Sequence, residues 1–386
     1  MIVFEDFNYV KKYPLSETKP VFDLVLGYFT LFERIEKLYG IKCDKVDRLQ
    51  SGKGSGIFIN GSVCWLKRLA PDNKKLYTIN NIPVLFKSDG IDLSIFNYKD
   101  ELDKYFKNYE RVEISNDYGV YIEYIYQFIE MQPGMLKNDI ELLKVKNRHN
   151  FKISFIGNPE NVIIEEGALV TDLNLFDTRK GPIIIKKDAQ IIGPSLIQGP
   201  TVIGEKTIID SAKVRGCFIG RVCKISGEVE ESVFLDFTNK HHDGFVGHSY
   251  IGSFVNFGAL ATTSDLKNNY SNIKVFIDNT LINTGNIKMG CFIGDYTRLG
   301  IGTLINSGSV IGSFSNIYGG GMVPKFIPPF SWGSNYPFKK YKLDRLIEDI
   351  IKISARRDQK ISDKYKAFIY KLYQEVKDEQ YNKNSF

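Results

Sequence analysis

Ile185, Ile191, Ile197, Ile203 and Ile209 stand six residues apart, and Ile293, Leu299, Ile305, Ile311 and Ile317 repeat the spacing further along the chain. Gly follows the aliphatic residue at Gly204, Gly294, Gly300 and Gly312. A spacing of six suits neither the period of a helix nor that of a half-buried strand. It suits a parallel β-helix, in which short strands turn every six residues and the aliphatic side chains stack inward as rungs. About eighteen residues then close one triangular coil. The small residue after the rung fits a tight corner and points to the left-handed form.

The chain of 386 residues has room for two or three domains. Its 43% hydrophobic and 25% charged content is that of a soluble globular protein. No apolar run approaches the roughly 18 residues that span a bilayer, and the opening MIVFEDFNYV carries acids where a signal peptide is basic and apolar. The expectation is a cytoplasmic chain without a membrane partner. Of five scattered Cys, Cys217 and Cys223 are six apart. In a β-helix they fall on successive faces and point apart, which argues against a disulfide and against a CxxC metal site. The net charge of +6 is mild. It favours a phosphorylated ligand, with no basic stripe for nucleic acid.

Residues 1–134 read as mixed α/β: IVF as a strand, Phe22 to Glu36 with helical periodicity, and GIFINGSVCWL as a strand broken at Asn60-Gly61. Pro133-Gly134 ends the apolar stretch Val120 to Met131, and residues 135–150 read as a connecting helix. The β-helix takes residues 151–333. Its ladder begins near Ile164, with Val170 and Phe176 in phase, breaks at Asp177 to Gly181, drifts near Arg215 and is restored by Ile219 and Ile225. Two longer interruptions, Glu228 to Asp243 and Ser264 to Lys288, read as functional or interface arms. Residues 334–386 form a helical tail: Leu343, Leu346, Ile347, Ile350 and Ile351 make one apolar stripe, and Ser362 caps a second helix. The cluster Ser51 to Gly56 lacks the spacing of a phosphate loop and reads as a surface loop.

Three of the four His lie in KHHDGFVGHSYIG: His241, His242 and His248. Imidazole is the side chain best suited to proton transfer near neutral pH; packed or solvated loop His is the other reading. This stretch resembles the acetyltransferase half of the bifunctional glucosamine-1-phosphate acetyltransferase / N-acetylglucosamine-1-phosphate uridyltransferase family. The resemblance implies His242 as catalytic base, Asn256 of SFVNFGA as a substrate-binding residue and Ala259 as part of the same turn. IYGGGMVPKFIPPFSWGS resembles the closing segment of hexapeptide acyltransferases. There Gly319 and Gly320 are implied to meet the thioester end of acetyl-CoA, and Lys325 its phosphates. Phe245 stands where the family has Tyr, Asp265 where it has Asn, and Glu230 where it has a phosphate-binding Lys, with Lys240 and Lys267 nearby. These departures fall on substrate recognition. They imply a sugar phosphate other than glucosamine 1-phosphate, accepting through an amine or a hydroxyl.

A nearer resemblance, over nearly the whole chain, is to a group of sugar nucleotidyltransferases. It rests on YPLSETKPVFDLVLGYFTLFERIE, NKHHDGFVGHSYIGSFVNFGA, SDLKNNYSNIKV and GMVPKFIPPFSWG. It implies nucleotidyl transfer to a sugar 1-phosphate, with Mg²⁺, in the N-terminal domain. The glycine-rich GxGTRL loop is replaced by VFEDFNYVKKYPL, Lys19-Pro20 stands where a phosphate-contacting Lys would sit, and Ser62 takes the place of a Mg²⁺-binding Asp. Retained transfer, sugar-nucleotide binding without catalysis and a structural domain all stay open. The expectation is a homotrimer, because flat β-helix faces pack side by side, transferring an acyl group from acetyl-CoA to a sugar phosphate or sugar nucleotide. Two other readings are a non-enzymatic trimeric scaffold and a zinc enzyme of the β-helix carbonic anhydrase kind. Against zinc, His242 and His248 are six apart and project from different faces.

Overall fold

The computed structural model describes residues 1–143, 154–334, 337–377 and 381. Two compact units divide the chain, Met1–Phe128 and Ile129–Phe386. Residues 144–150 of the expected connecting helix lie outside the described residues. Among the described residues no helix is long and apolar enough to cross a membrane.

In the first unit a six-stranded sheet runs in the order Asp44–Val46, Ile2–Phe4, Lys53–Asn60, Ile82–Asp92, Lys75–Ile79, Glu110–Glu113. Ile2–Phe4 is parallel to both of its neighbours. Phe4, Phe58, Phe86, Phe96 and Phe106 fill the core, with the Phe4 and Phe96 rings stacked at 4.3 Å. The glycine cluster expected as a loop instead enters the long strand. A Cβ on Gly54 would sit 2.8 Å from Leu93, and Gly56 at φ 131° marks a break in the ladder register. Only glycine fits such a close approach and bulge. The first helix, α1, spans Leu31–Tyr39 rather than starting at Phe22. Gly27 at φ 76° reverses the chain between two short strands, and Thr30 and Glu33 form a capping box that sets the true start.

After a short helix α2 (Lys99–Tyr105), helix α3 runs Tyr126–Leu143 straight through Pro133. The expected stop there does not occur. Ile125, Ile129, Gln132, Leu136, Asp139 and Ile140 are all buried, at the spacing of a single helical stripe that continues across the proline. Tertiary burial outweighs the hydrogen bond that Pro cannot donate.

The second unit is a parallel β-solenoid. Each coil passes in turn through face A, face B and face C. Nine strands stack on face B, from Val162–Ile164 to Phe326–Ile327. The ladder residues are the rungs: Ile185 pairs with Ile203, Ile203 with Ile219, Ile251 with Ile293 and Ile293 with Ile311, all fully buried. Each such side chain contributes about 1.5–3 kcal/mol. Cys217 and Cys223 precede strands on consecutive faces and are free, and burial pushes both thiols up to about 12.

The expected arm at Glu228 to Asp243 is absent, because those residues form coil. Val214, Val229 and Val246 are successive face A rungs, so the coils are 15 and 17 residues long (229 − 214 and 246 − 229). The rung on face C is Lys240, stacked on Ile225 and 1% exposed. A lysine in an aliphatic place hid the repeat. Ser264 to Lys288 is a genuine excursion. It carries the hairpin Lys274–Ile277 and Thr280–Asn283, anchored by buried Ile273, Val275 and Ile277.

The corner leading into face C adopts the left-handed region in coil after coil. Bulky residues hold it at Phe237, Phe254, Tyr296, Phe314 and Phe330, with φ from 58° to 66°. That conformation costs about 1–2 kcal/mol per residue. Stacking works against the cost: centroid distances along the column are 4.5, 4.6, 5.7 and 5.1 Å, and such pairs contribute about 0.5–1.5 kcal/mol beyond burial. Two tail helices lie against this column, α4 (Leu343–Ala355) and α5 (Asp363–Glu375). Tyr373 of α5 meets Phe330 edge-on, Ser354 of α4 bonds the Tyr296 hydroxyl at 3.1 Å, and Ser362 caps α5. The apolar stripe is narrower than expected, with Leu346 and Ile350 buried but Ile351 44% exposed.

Phe314→Ala should lower unfolding free energy by about 3–5 kcal/mol in a denaturant titration. Phe314→Gly should be no worse than Phe314→Ala, because glycine alone relieves the left-handed backbone. A glycine variant clearly less stable than the alanine variant would refute the corner assignment.

Candidate functional site

Between faces C and A a second set of corners forms an edge. His242 follows the face C strand Asn239–Lys240, Ala259 follows Asn256–Phe257, and Gly319 and Gly320 follow Asn316–Ile317. Stacking aligns them: Gly302 N–H donates to the Ala259 carbonyl, and Gly321 N–H to the Gly302 carbonyl. His242 is exposed, and among the described residues no hydrogen bond engages its ring. The N–H groups of Gly319 and Gly320 likewise find no acceptor among the described residues, and both residues are left-handed, at φ 96° and 71°. Leu260, Ile301 and Tyr318 stand 61%, 71% and 43% exposed on this same edge.

Lys240 turns inward rather than toward the edge. Its Nζ donates to the Ser226 carbonyl at 2.8 Å and the His242 carbonyl at 2.6 Å. Burial, partly countered by Asp243, pushes the ammonium down to about 8. The lysine thus fixes the backbone that carries His242.

On face A, Phe245 and Asp265 converge over Gly247, where a Cβ would strike the Phe245 ring and lie 2.5 Å from Asp265 Oδ2. Asp265 is also committed to His248, Oδ2 to Nδ1 at 2.6 Å, while His248 Nε2 lies 3.1 Å from Glu231 Oε2. Burial opposes a charge on His248, but the bonds to Asp265 and Glu231 outweigh it and raise the imidazole to about 9. His248 is therefore an imidazolium held between two carboxylates, and it ties the root of the excursion to the coil.

The excursion brings Lys267 and Lys274 close enough to Lys325 that, after burial, their charges are what lower its ammonium. Ring contact at 4.6 Å between Phe276 and Phe326 holds the hairpin there. Asn256 lies apart from Phe245 and Asp265, on face C, accepting from Asn239 Nδ2 at 3.0 Å beneath α4. Lys274, and the Asn239, Arg298 and Asn316 that share an outward face C column with Asn256, are not among the residues expected from the sequence. That column was visible as the polar residue immediately before each rung.

In the first unit, the strand ends where a nucleotide loop was sought hold a closed polar cluster. Asp6 accepts from Asn8 N at 3.0 Å, Asn60 Nδ2 at 2.7 Å and the Tyr121 hydroxyl at 2.9 Å. Asp6 is 1% exposed. Lys12, fully buried, donates to the Asn8 carbonyl, and burial pushes it down to about 8. Ser62 is buried with its hydroxyl unpaired, and Lys19 is half-buried. These residues do not fit Mg²⁺: the one carboxylate within the cluster is saturated by donors and faces an ammonium.

An α/β unit followed by a parallel β-solenoid defines the class. Residues 1–148 match the family model described as sugar nucleotidyl transferase. The chain is 34% identical over 195 residues to a bifunctional sugar-1-phosphate nucleotidylyltransferase/acetyltransferase of Sulfurisphaera tokodaii, covering 44% of this chain and 45% of that one. It is 31% identical over 188 residues to the bifunctional protein GlmU of Methanococcus vannielii, covering 48% and 39%. Each match spans less than half the length of the relative. A UDP-N-acetylglucosamine acyltransferase structure from Campylobacter jejuni aligns over 60% of this chain and 93% of its own at 16% identity and a TM-score of 0.21. The fold itself is read from the strand pairings above.

His248 sets a pH dependence. Its imidazole rises from 6.5 to about 9 on folding, so the stability it contributes is fully present below pH 6.5 and is lost as pH climbs through 9. Thermal unfolding should show wild type losing about 2–3 kcal/mol across that window relative to His248→Gln. Parallel pH curves for the two proteins would refute the clamp.

Proposed function

We propose that the β-solenoid transfers an acetyl group from acetyl-CoA to an amine or hydroxyl of a sugar phosphate or sugar nucleotide, with His242 as base. The observation that carries this reading is the edge itself. An exposed imidazole without a partner stands in the same column of corners as two unpaired N–H groups, at Gly319 and Gly320. Acyl transfer needs a base for the attacking nucleophile and free donors along the path of the acyl donor. His242 takes the proton as the nucleophile attacks the thioester carbonyl and returns it to the departing thiolate. Gly319 and Gly320, three coils further along the same edge, border the path of the donor.

Lys325, with Lys267 and Lys274 beside it, supplies the charge for the phosphates of donor or acceptor. Ala259 shapes the donor path, with its carbonyl already bonded within the edge. Phe245 and Asp265 border the acceptor, Asn256 faces α4 instead, Lys240 positions His242, and Asp265 reaches the acceptor only through the oxygen not given to His248. We further propose a homotrimer packed along this edge, where Leu260, Ile301, Tyr318, Leu304 and Met322 expose apolar surface. In this reading the α/β unit is a nucleotidyltransferase-like domain, residues 1–134, that binds or scaffolds without catalysing transfer. The saturated Asp6 cluster supports that part.

The test is a screen of sugar phosphates with acetyl-CoA, following free thiol. His242→Ala should lower the rate at least about 100-fold with thermal stability unchanged, since no partner is lost. Undiminished acetylation in the variant would remove His242 from the reaction. Parallel assays with nucleoside triphosphates and Mg²⁺ should release no pyrophosphate, and release would overturn the reading of the α/β unit.

A further inference from the structure

Face C and helix α4 enclose a cavity of about 470 Å³. Its wall carries Lys224, Arg298, Lys352, Arg356 and Arg357, against one acid, Asp349. That acid is already used: Asp349 Oδ2 accepts from the Tyr341 hydroxyl at 2.6 Å, and Oδ1 lies 3.8 Å from Lys352. Among the described residues no ion pair engages Lys224, Arg298, Arg356 or Arg357. Arg298 is the informative member. It rises from the floor of the cavity, in the column between Asn256 and Asn316. Burial and the like charges of Arg357 and Arg356 push its guanidinium down to about 10. That still leaves it charged at neutral pH, and a half-buried charge facing four other cations and one acid already bonded elsewhere is costly unless an anion joins it.

We propose that this cavity binds a small phosphorylated metabolite bearing two or more negative charges, at a site separate from the His242 edge. Guanidinium groups on two sides can grip phosphoryl oxygens through paired N–H donors. The carboxamides of Asn256 and Asn316 add neutral donors beside Arg298. Phe237, Phe254 and Tyr296 line the same cavity and offer an apolar wall for the rest of the molecule. The volume exceeds what a bare phosphate needs and lies in the range of metabolite pockets. Of the site residues expected from the sequence, only Asn256 lines the cavity, and none of the edge corners does. Because α4 forms one wall and Arg356 and Arg357 follow directly at its C-terminal end, an anion there would bind the tail to the coil.

Inorganic pyrophosphate is a sufficient probe, titrated calorimetrically into the full chain at matched ionic strength. Saturable binding is expected in wild type and should weaken at least tenfold in Arg298→Gln. If that variant misfolds, the surface pair Arg356→Ala/Arg357→Ala gives the same readout. His242→Ala and Lys325→Ala should leave this binding intact, which keeps it distinct from the acyl-transfer reading. Binding that disappears once ionic strength is matched overturns the proposal, as does binding lost with Lys325→Ala but retained in the arginine variants.

Discussion

Everything in the second unit depends on parallel strands stacked in register. Once one coil lies on the last, a residue's neighbours are decided by its place in the coil, not by its distance along the chain. Ile251 meets Ile293 across the whole Ser264 to Lys288 excursion. The same rule lines up corners, so that His242, Ala259, Gly302 and Gly319 share an edge although each belongs to a different coil. Aliphatic rungs supply the free energy for this order, and the acyl transfer proposed above draws on the columns that the order creates.

That dependence explains what the sequence made legible. A rung repeats its chemistry, so the ladder, the solenoid and its approximate limits could be read from Ile185 to Ile317. Places where a rung changes chemistry were opaque. Lys240 fills an aliphatic position with a buried ammonium, so a continuous coil looked like an arm. Left-handed corners were invisible for a related reason. Glycine advertises such a backbone, but Phe254, Tyr296 and Phe314 adopt it because their rings stack on one another, a tertiary effect with no local signature. Helix α3 passing through Pro133 follows the same logic, with packing overriding a local stop. The edge residues, by contrast, could be named from their motif, while their partners could not. Nothing in the spacing of Asp265 reveals that His248 holds it.

The buried His248 and Lys240 and the half-buried Arg298 show how differently the fold treats charge. His248 is paired on both nitrogens and is driven toward its charged form. Lys240 bonds only to carbonyls, with Asp243 a weaker counterweight, and is driven toward neutrality. Arg298 has neither, and its chemistry denies it the neutral state at physiological pH. The first two are structural solutions, complete within the chain. The third is incomplete, and its missing partner must come from outside.

The same contrast separates the two units. In the α/β unit, the polar groups at the strand ends, the Ser62 hydroxyl excepted, satisfy one another: Asp6 is bonded three times over, Asn60 bridges it to the neighbouring strand, and Lys12 closes on a carbonyl. Any ligand there would have to break bonds already made. On the solenoid, the His242 ring, the N–H groups of Gly319 and Gly320 and the guanidinium of Arg298 find no partner among the described residues. A folded chain leaves strong donors and acceptors unpaired only where solvent or a ligand completes them. Assigning the chemistry to the solenoid therefore rests less on which residues are present than on which remain unsatisfied.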